Sequence, residues 1–205
     1  MTWTKRIDDV VSEQHLLKHP FYTAWTEGRL TQSALQGYAA QYYKHVAAFP
    51  RYLSAIHAQT PDLETRQYLL ENLVDEERGA ENHPELWLRF AEGIGAGRNE
   101  LREATPLDET TDCDATYREI ASARGPIAGL AALYAYESMV PAVSESKIAG
   151  LKAHYGIDDA ETCASSTSTS RWTSGTRRSR ASCSATRPRT NARLQSKRPT
   201  RRWAR

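Results

Sequence analysis

Leu133-Tyr134-Ala135-Tyr136-Glu137-Ser138-Met139-Val140-Pro141 sets a single carboxylate in a run that is otherwise largely apolar and aromatic. Such a carboxylate is unfavourable unless it is paired or bound to metal. The bland alternative is a helix whose Glu137 points to solvent. The run belongs to a longer helical stretch, from Pro126 through Leu130, Leu133, Val140 and Ile148 to Gly156.

Working outward, apolar residues recur at three and four through the chain that precedes it. Ile7, Val10 and Val11 lead to Leu16 and Leu17, and a short helix follows His19-Pro20 through Tyr22, Trp25 and Leu30. A long helix starts after the cap Thr31 and carries Leu35, Tyr38, Tyr42, Tyr43 and His45, with Pro50 expected to interrupt it. Pro61-Asp62 opens the next, through Tyr68, Leu69, Leu73 and Glu76, and Pro84 restarts it through Leu86, Trp87 and Phe90. There is no strand alternation and no Asn-Gly hairpin signal. The pattern predicts an all-α bundle of long helices, one domain over residues 1–162, with any site built from side chains on facing helices. No apolar run approaches the ~18 residues of a membrane span, and the N-terminus lacks a signal-peptide core. The expectation is a soluble, cytoplasmic body. Cys113 falls in an acidic stretch read as a loop over residues 108–114, and nothing supports a disulfide framework or a zinc site.

Composition changes sharply after Thr162. Residues 163–205 hold 12 Lys and Arg, no Asp or Glu, 16 Ser and Thr, and no Ile, Val, Phe, Tyr or Met. The net charge of +2 therefore combines +12 in that tail with −10 over residues 1–162. A disordered basic arm for nucleic acid and a linker without a partner are the ordinary readings of such a segment. A third reading, a frame change near Thr162, can be tested on codons. If one base was lost, each original codon is the third base of one present codon followed by the first two of the next. Trp172 has only the codon TGG, so the slot of Thr173 becomes GAC, which is aspartate. The slots of Thr169 and Thr176 become N-AC, which encodes only Tyr, His, Asn or Asp. With C before the slots of Thr169 and Thr176 and chosen bases at most other free third positions, the segment from Cys163 can be read L-R-F-F-D-V-H-E-P-L-D-E-W-H-A-E-E. That is an acidic, amphipathic helix start, like the body and unlike the tail. The frame change is the preferred reading: residues 163–205 are then out of frame and disordered, the last helix is lost, and nucleic acid is not the expected partner.

Glu76 and His83 are seven apart, about 10 Å of rise on an unbroken helix and too far to share a metal ion. Gly79, Asn82 and Pro84 supply a means of local unwinding that would bring them together.

Taken together, His19-Pro20-Phe21-Tyr22, Glu76-Glu77-x5-His83-x-Glu85-Leu86-Trp87 and Tyr134-x-Tyr136-Glu137-Ser138-x-Val140-Pro141 resemble the haem-oxygenase-like di-iron oxidases. That superfamily includes the TenA thiaminases and the pyrroloquinoline quinone synthase PqqC. Within it the chain is most similar to the CADD type, a para-aminobenzoate synthase for folate. The resemblance implies a haem-oxygenase-like (TenA/PqqC-like) bundle with Glu76, His83 and Glu137 as metal ligands, completed by a His-x3-Asp-x2-His set on the last helix. Those last slots hold Thr169, Thr173 and Thr176 as written, and the restored frame puts histidine, aspartate and histidine there. It further implies two irons (or manganese and iron) bridged by carboxylates, dioxygen as co-substrate, and a homodimer. The ring would come from a small molecule or from the protein's own tyrosine, with Tyr22, Tyr38 and Lys147 in the catalytic roles. Lacking half of the ligands, the chain as written is expected to be inactive.

From the residues alone, Tyr22 and Tyr38 read as core aromatics with satisfied hydroxyls, and Lys147 suits a solvated helix position equally well. His15, His19, His45, His57 and His154 show no pairing and read as surface or satisfied helix residues. Three other functions compete. A thiaminase-type hydrolase needs a nucleophilic cysteine in the core cavity. A cofactor-free ring oxidase of the PqqC kind lines its pocket with His and Arg. A helical module with a nucleic-acid-binding tail takes residues 163–205 at face value.

Overall fold

The computed structural model of the chain describes residues 3–167. They form α1 (Trp3–Glu13), a 3-10 turn (Leu16–Lys18), α2 (Pro20–Thr26), α3 (Gln32–Gln59), α4 (Leu63–Glu77), α5 (His83–Gly93), α6 (Arg98–Glu103), α7 (Asp108–Ala123), α8 (Pro126–Glu137), α9 (Val140–His154) and α10 (Ala160–Thr167). No strand occurs among the described residues, as the periodicity predicts. The starts follow the local chemistry. Thr31 Oγ1 accepts from the Ala34 N–H at 3.2 Å, Asp62 from Thr65 at 2.8 Å, and Asn82 from Glu85 at 2.9 Å. Each satisfies an amide that the first helical turn leaves without a partner.

α3 is the axis of the bundle, 28 residues and so about 42 Å long, and it packs on α4, α5, α6, α7 and α8. Pro50 does not interrupt it, contrary to expectation. A mid-helix proline costs about 3 kcal/mol. Here Phe49, Tyr52, Leu53 and Ile56 around it are all buried, at about 1.5–3 kcal/mol each, so packing outweighs the lost hydrogen bond. Two apolar clusters share this axis. One gathers Trp25, Leu35, Trp87, Phe90, Leu101 and Leu151, and the other Phe49, Tyr52, Leu53, Ile56, Leu69 and Leu133.

Three further expectations are corrected. Residues 108–114 are the start of α7, not a loop. Asp108 and Glu109 suit the positive end of the helix dipole, and Tyr117 stacks on Tyr52 with ring centroids 5.3 Å apart. Cys113 is exposed on this helix. The stretch after Pro126 is two helices, because Pro141 has no N–H to close the turn on the Glu137 carbonyl and the chain breaks at Ser138-Met139. Residues 163–167 continue α10, where Cys163 and Ser166 are buried. Asp159 caps this helix, its Oδ1 accepting from the Thr162 N–H at 2.7 Å, and its small side chains pack on α5 and α9. The predicted disorder beyond that point, and the slots of Thr169, Thr173 and Thr176, lie outside the described residues.

Pro126–His154 is, by length and composition alone, long and apolar enough to cross a membrane, which the sequence reading did not anticipate. In the bundle 28% of that apolar window is buried, and its inward-facing residues pack on neighbouring helices. α8 packs on α1, α3 and α7, and α9 on α2 and α10. Two glycines allow the closest of these approaches. A Cβ on Gly129 would lie 2.5 Å from Ile56 Cγ1 of α3, and one on Gly150 would lie 2.5 Å from Trp25 Cδ1 of α2.

Candidate active site

Glu76 lies on the last turn of α4 and His83 is the first residue of α5. Between them Arg78 is extended, Gly79 takes φ +87°, and Asn82 Nδ2 donates to the Gly79 carbonyl at 2.8 Å. The turn folds back, and His83 Nδ1 sits 2.7 Å from Glu76 Oε1. The breakers therefore do what the spacing requires. Burial opposes a charge on His83, but the bonded Glu76 carboxylate, with Asp75 nearby, outweighs it and raises the imidazole above its usual range. Glu85, within the same motif, turns away to Arg98, which grips it at 2.8 and 3.0 Å.

Glu137 does not point to solvent. It is 6% exposed, has no hydrogen-bond or ion-pair partner among the described residues, and faces the same cavity as Glu76 and His83. Burial first, and the Glu76 charge second, hold its carboxyl well above the usual carboxylate range. Lys147 is 5% exposed, which excludes the solvated reading. Its Nζ lies 4.6 Å from the Trp87 ring centroid and 5.5 Å from that of Tyr38. Burial lowers it from 10.5 to about 7. The Tyr22 and Tyr38 hydroxyls are 3.3 Å apart, and those of Tyr42 and Tyr136 form a short hydrogen bond.

These groups surround a cavity of about 70 Å³ between α3, α4, α5, α8, α9 and α10, with Ser165 and Ser166 closing part of its wall. Glu76, His83, Glu137 and Lys147 all line it. Tyr22 and Tyr38 stand behind the wall, with the Tyr38 ring 5.4 Å from that of Tyr42, which does line it. The donor types, two carboxylates and an imidazole, suit iron or manganese. As placed, however, no three His, Cys, Asp or Glu side chains among the described residues converge to hold a metal ion.

The sequence reading missed His45. His15 and His19 accept from the backbone amides of Leu17 and Phe21, and His154 Nε2 meets the Thr26 carbonyl. His45 differs: it lines the cavity with both ring nitrogens buried and unpaired, and burial lowers it to about 4. Its spacing of three from Tyr42 and seven from Tyr38 places all three on one face of α3, a signal that was present in the sequence.

Comparison with known proteins agrees with this architecture. The chain is 46% identical over 167 residues to the 4-aminobenzoate synthase of Nitrosomonas europaea, covering 77% of this chain and 68% of that protein. It is 42% identical over 161 residues to the 4-aminobenzoate synthase of Chlamydia muridarum, covering 78% and 68%. A shorter likeness, 36% over 87 residues, links it to the pyrroloquinoline-quinone synthase of Ectopseudomonas mendocina, covering 42% and 35%. A family-wide sequence profile matches residues 7–197, past the change in composition at Cys163. An all-α bundle with facing acidic and imidazole groups, aligned over most of its length with such relatives, belongs to the TENA/THI-4/PQQC family.

Proposed function

We propose that this fold is that of a two-metal, dioxygen-using enzyme of para-aminobenzoate synthesis, and that the chain as written lacks part of its ligand set and is inactive. The observation that carries the reading is Glu137, a buried carboxyl without a protein partner, facing the same cavity as the Glu76–His83 pair. Glu76, His83 and Glu137 would hold the metal, two irons or manganese with iron, and the bound pair would supply activation of dioxygen. The relatives named 4-aminobenzoate synthase support the reaction class.

The chain's own residues do the rest. The cavity, about 70 Å³, is roughly half the ~150 Å³ of an engineered apolar cavity that takes up benzene, which is little room for a separate aromatic substrate. This favours a ring supplied by the protein itself. Tyr38, behind the wall against Tyr42, is hydrogen-bonded to Tyr22 and has its ring 5.5 Å from the Lys147 amine, which supports giving it that role. Aromatic rings surround the Lys147 amine, and burial keeps a large share of it neutral near pH 7. A thiaminase-type mechanism is disfavoured because Cys113 is exposed and no cysteine lines the cavity among the described residues. The cofactor-free ring oxidase is disfavoured because the cavity presents two carboxyls and no arginine among the described residues. A homodimer and cytoplasmic residence belong to the same proposal.

The test compares this chain with one whose frame is restored after Thr162. The restored protein should bind about two metal ions and yield para-aminobenzoate aerobically with a reductant, while the chain as written does neither. A restored protein that is active without metal would replace this reading with the cofactor-free oxidase.

A further inference from the structure

Residues 78–82 decide whether Glu76 and His83 meet, and they have little packing of their own. None of the five is buried, and apart from its own chain neighbours no atom lies within 4 Å of where a Cβ on Gly79 would be. A loop of this kind, with glycine at φ +87° and no apolar anchor, keeps one shape through its hydrogen bonds. One of these is internal, from Asn82 Nδ2 to the Gly79 carbonyl. Another comes from outside the loop: Arg89, farther along α5, donates from Nη2 to the Ala80 carbonyl at 3.0 Å, nine residues back.

Arg89 is itself held in place. Its Nε donates to Glu85 Oε1 at 3.3 Å, and its Nη1 lies 3.9 Å from Glu81 Oε1 in the loop. Glu85 is fixed from the far side, because Arg98 of α6 grips both of its oxygens at 2.8 and 3.0 Å. Arg98 is anchored in turn by Glu92 of α5, at 2.7 and 2.9 Å. A chain of charged bonds thus runs from α6 through Glu85 and Arg89 to the Ala80 carbonyl, two residues before the Asn82 cap of α5. A guanidinium suits this task, since its planar fork of donors ties two partners at a set separation. We propose that Arg89 is a positioning residue, which by tying the 78–82 loop to α5 holds His83 against Glu76. The proposal deepens the metal-holding function above and takes its importance from that reading, since a pair that drifts apart cannot offer both donors to one ion.

The experiment uses the full chain, stripped of metal, labelled with 15N and held at one pH. Two signals report on the loop: the His83 Nδ1 resonance, identified by its loss in His83→Gln, and amide exchange at Glu85 and Leu86, whose N–H groups bond to Asn82. Arg89→Met, similar in length but without donors, should move the Nδ1 resonance away from its hydrogen-bonded position. It should also speed exchange at the two amides about tenfold, as expected for loss of one hydrogen bond from a charged donor. Its melting temperature should stay within about 4 °C of the parent, because the tie ends on a loop and not in the core. Arg89→Lys, which keeps the charge and can still reach the Ala80 carbonyl, should keep the Nδ1 resonance in place and exchange to within a few fold. An Arg89→Met protein with the parent's Nδ1 resonance and amide exchange would overturn the proposal. So would one that melts far lower with the Nδ1 resonance unmoved, since that is the mark of a purely structural arginine. The pair is read here without metal, so failure leaves the metal reading to its own test, and failure of the metal reading leaves the tie standing.

Discussion

Replacing Lys147 by Met should stabilise the protein, and the gain should depend on pH. The side chain is 5% exposed, and its Nζ faces rings with no carboxylate partner among the described residues. Burial lowers it from 10.5 to about 7. At about 1.4 kcal/mol per tenfold change in proton affinity, the folded chain forgoes about 5 kcal/mol relative to a lysine that titrates normally. The surrounding ring faces favour the ammonium by ~0.5–2 kcal/mol, which makes that figure a ceiling. The folded value lies below the unfolded one, so between about pH 7 and 10.5 the unfolded chain binds the extra proton. Stability of the parent therefore rises with pH across this window, and the penalty is complete below it. Met is similar in length, apolar and adaptable, and carries no such penalty. In urea unfolding, Lys147→Met should exceed the parent by about 2–5 kcal/mol below pH 7 and converge on it toward the alkaline end. Parallel pH profiles for the two proteins would refute the reasoning, because they would mean that Lys147 stays charged at no cost.

Gly150→Ala should destabilise by about 1–3 kcal/mol in thermal melts despite a helix-propensity gain of under ~1 kcal/mol. Its Cβ would meet Trp25 Cδ1 at 2.5 Å and the Trp25 carbonyl oxygen at 3.2 Å. Asn82→Ala should cost about 1 kcal/mol through the lost α5 cap. Because it also frees the tie to Gly79, NMR should show His83 Nδ1 losing its bond to Glu76. Tyr22→Phe should cost no more than about 1 kcal/mol by removing the partner of the Tyr38 hydroxyl. In the frame-restored protein it should lower product while sparing metal content.

Most of the helices were legible because their caps and breakers act locally. Thr31, Asp62 and Asn82 each accept from an amide three residues on, which is a matter of sequence alone. The pairing of Glu76 with His83 was legible for the same reason, since Gly79 and Asn82 shape the turn between them. Pro50 was misread because its tolerance depends on Phe49, Tyr52 and Leu53 being buried by α7 and α8, which lie far along the chain. α7 was misread because few apolar residues mark its inner side, and Thr110 and Asp114 meet α3 there through bonds to Gln41 and Tyr52 that the sequence does not show. The burial of Glu137 and Lys147 could be suspected but not decided, because a helix rich in apolar residues does not say which way its few polar ones turn. His45 was passed over because an unpaired imidazole is recognised only once the side chains around it are placed.

The two close glycine contacts have a mechanical consequence for everything between them. Gly129 pins α8 to Ile56 and Gly150 pins α9 to Trp25, with the Ser138-Met139 break between the two anchors. Glu137 and Lys147 both lie in this span, so their relative direction is set by the number of residues counted from each anchor. Deleting or inserting one residue there would turn one side chain by roughly 100° about the helix axis relative to the other. The segment therefore acts as a gauge of fixed length. Homologous bundles should vary at the exposed side chains along it but keep Glu137, Lys147 and the count of residues between the two glycines.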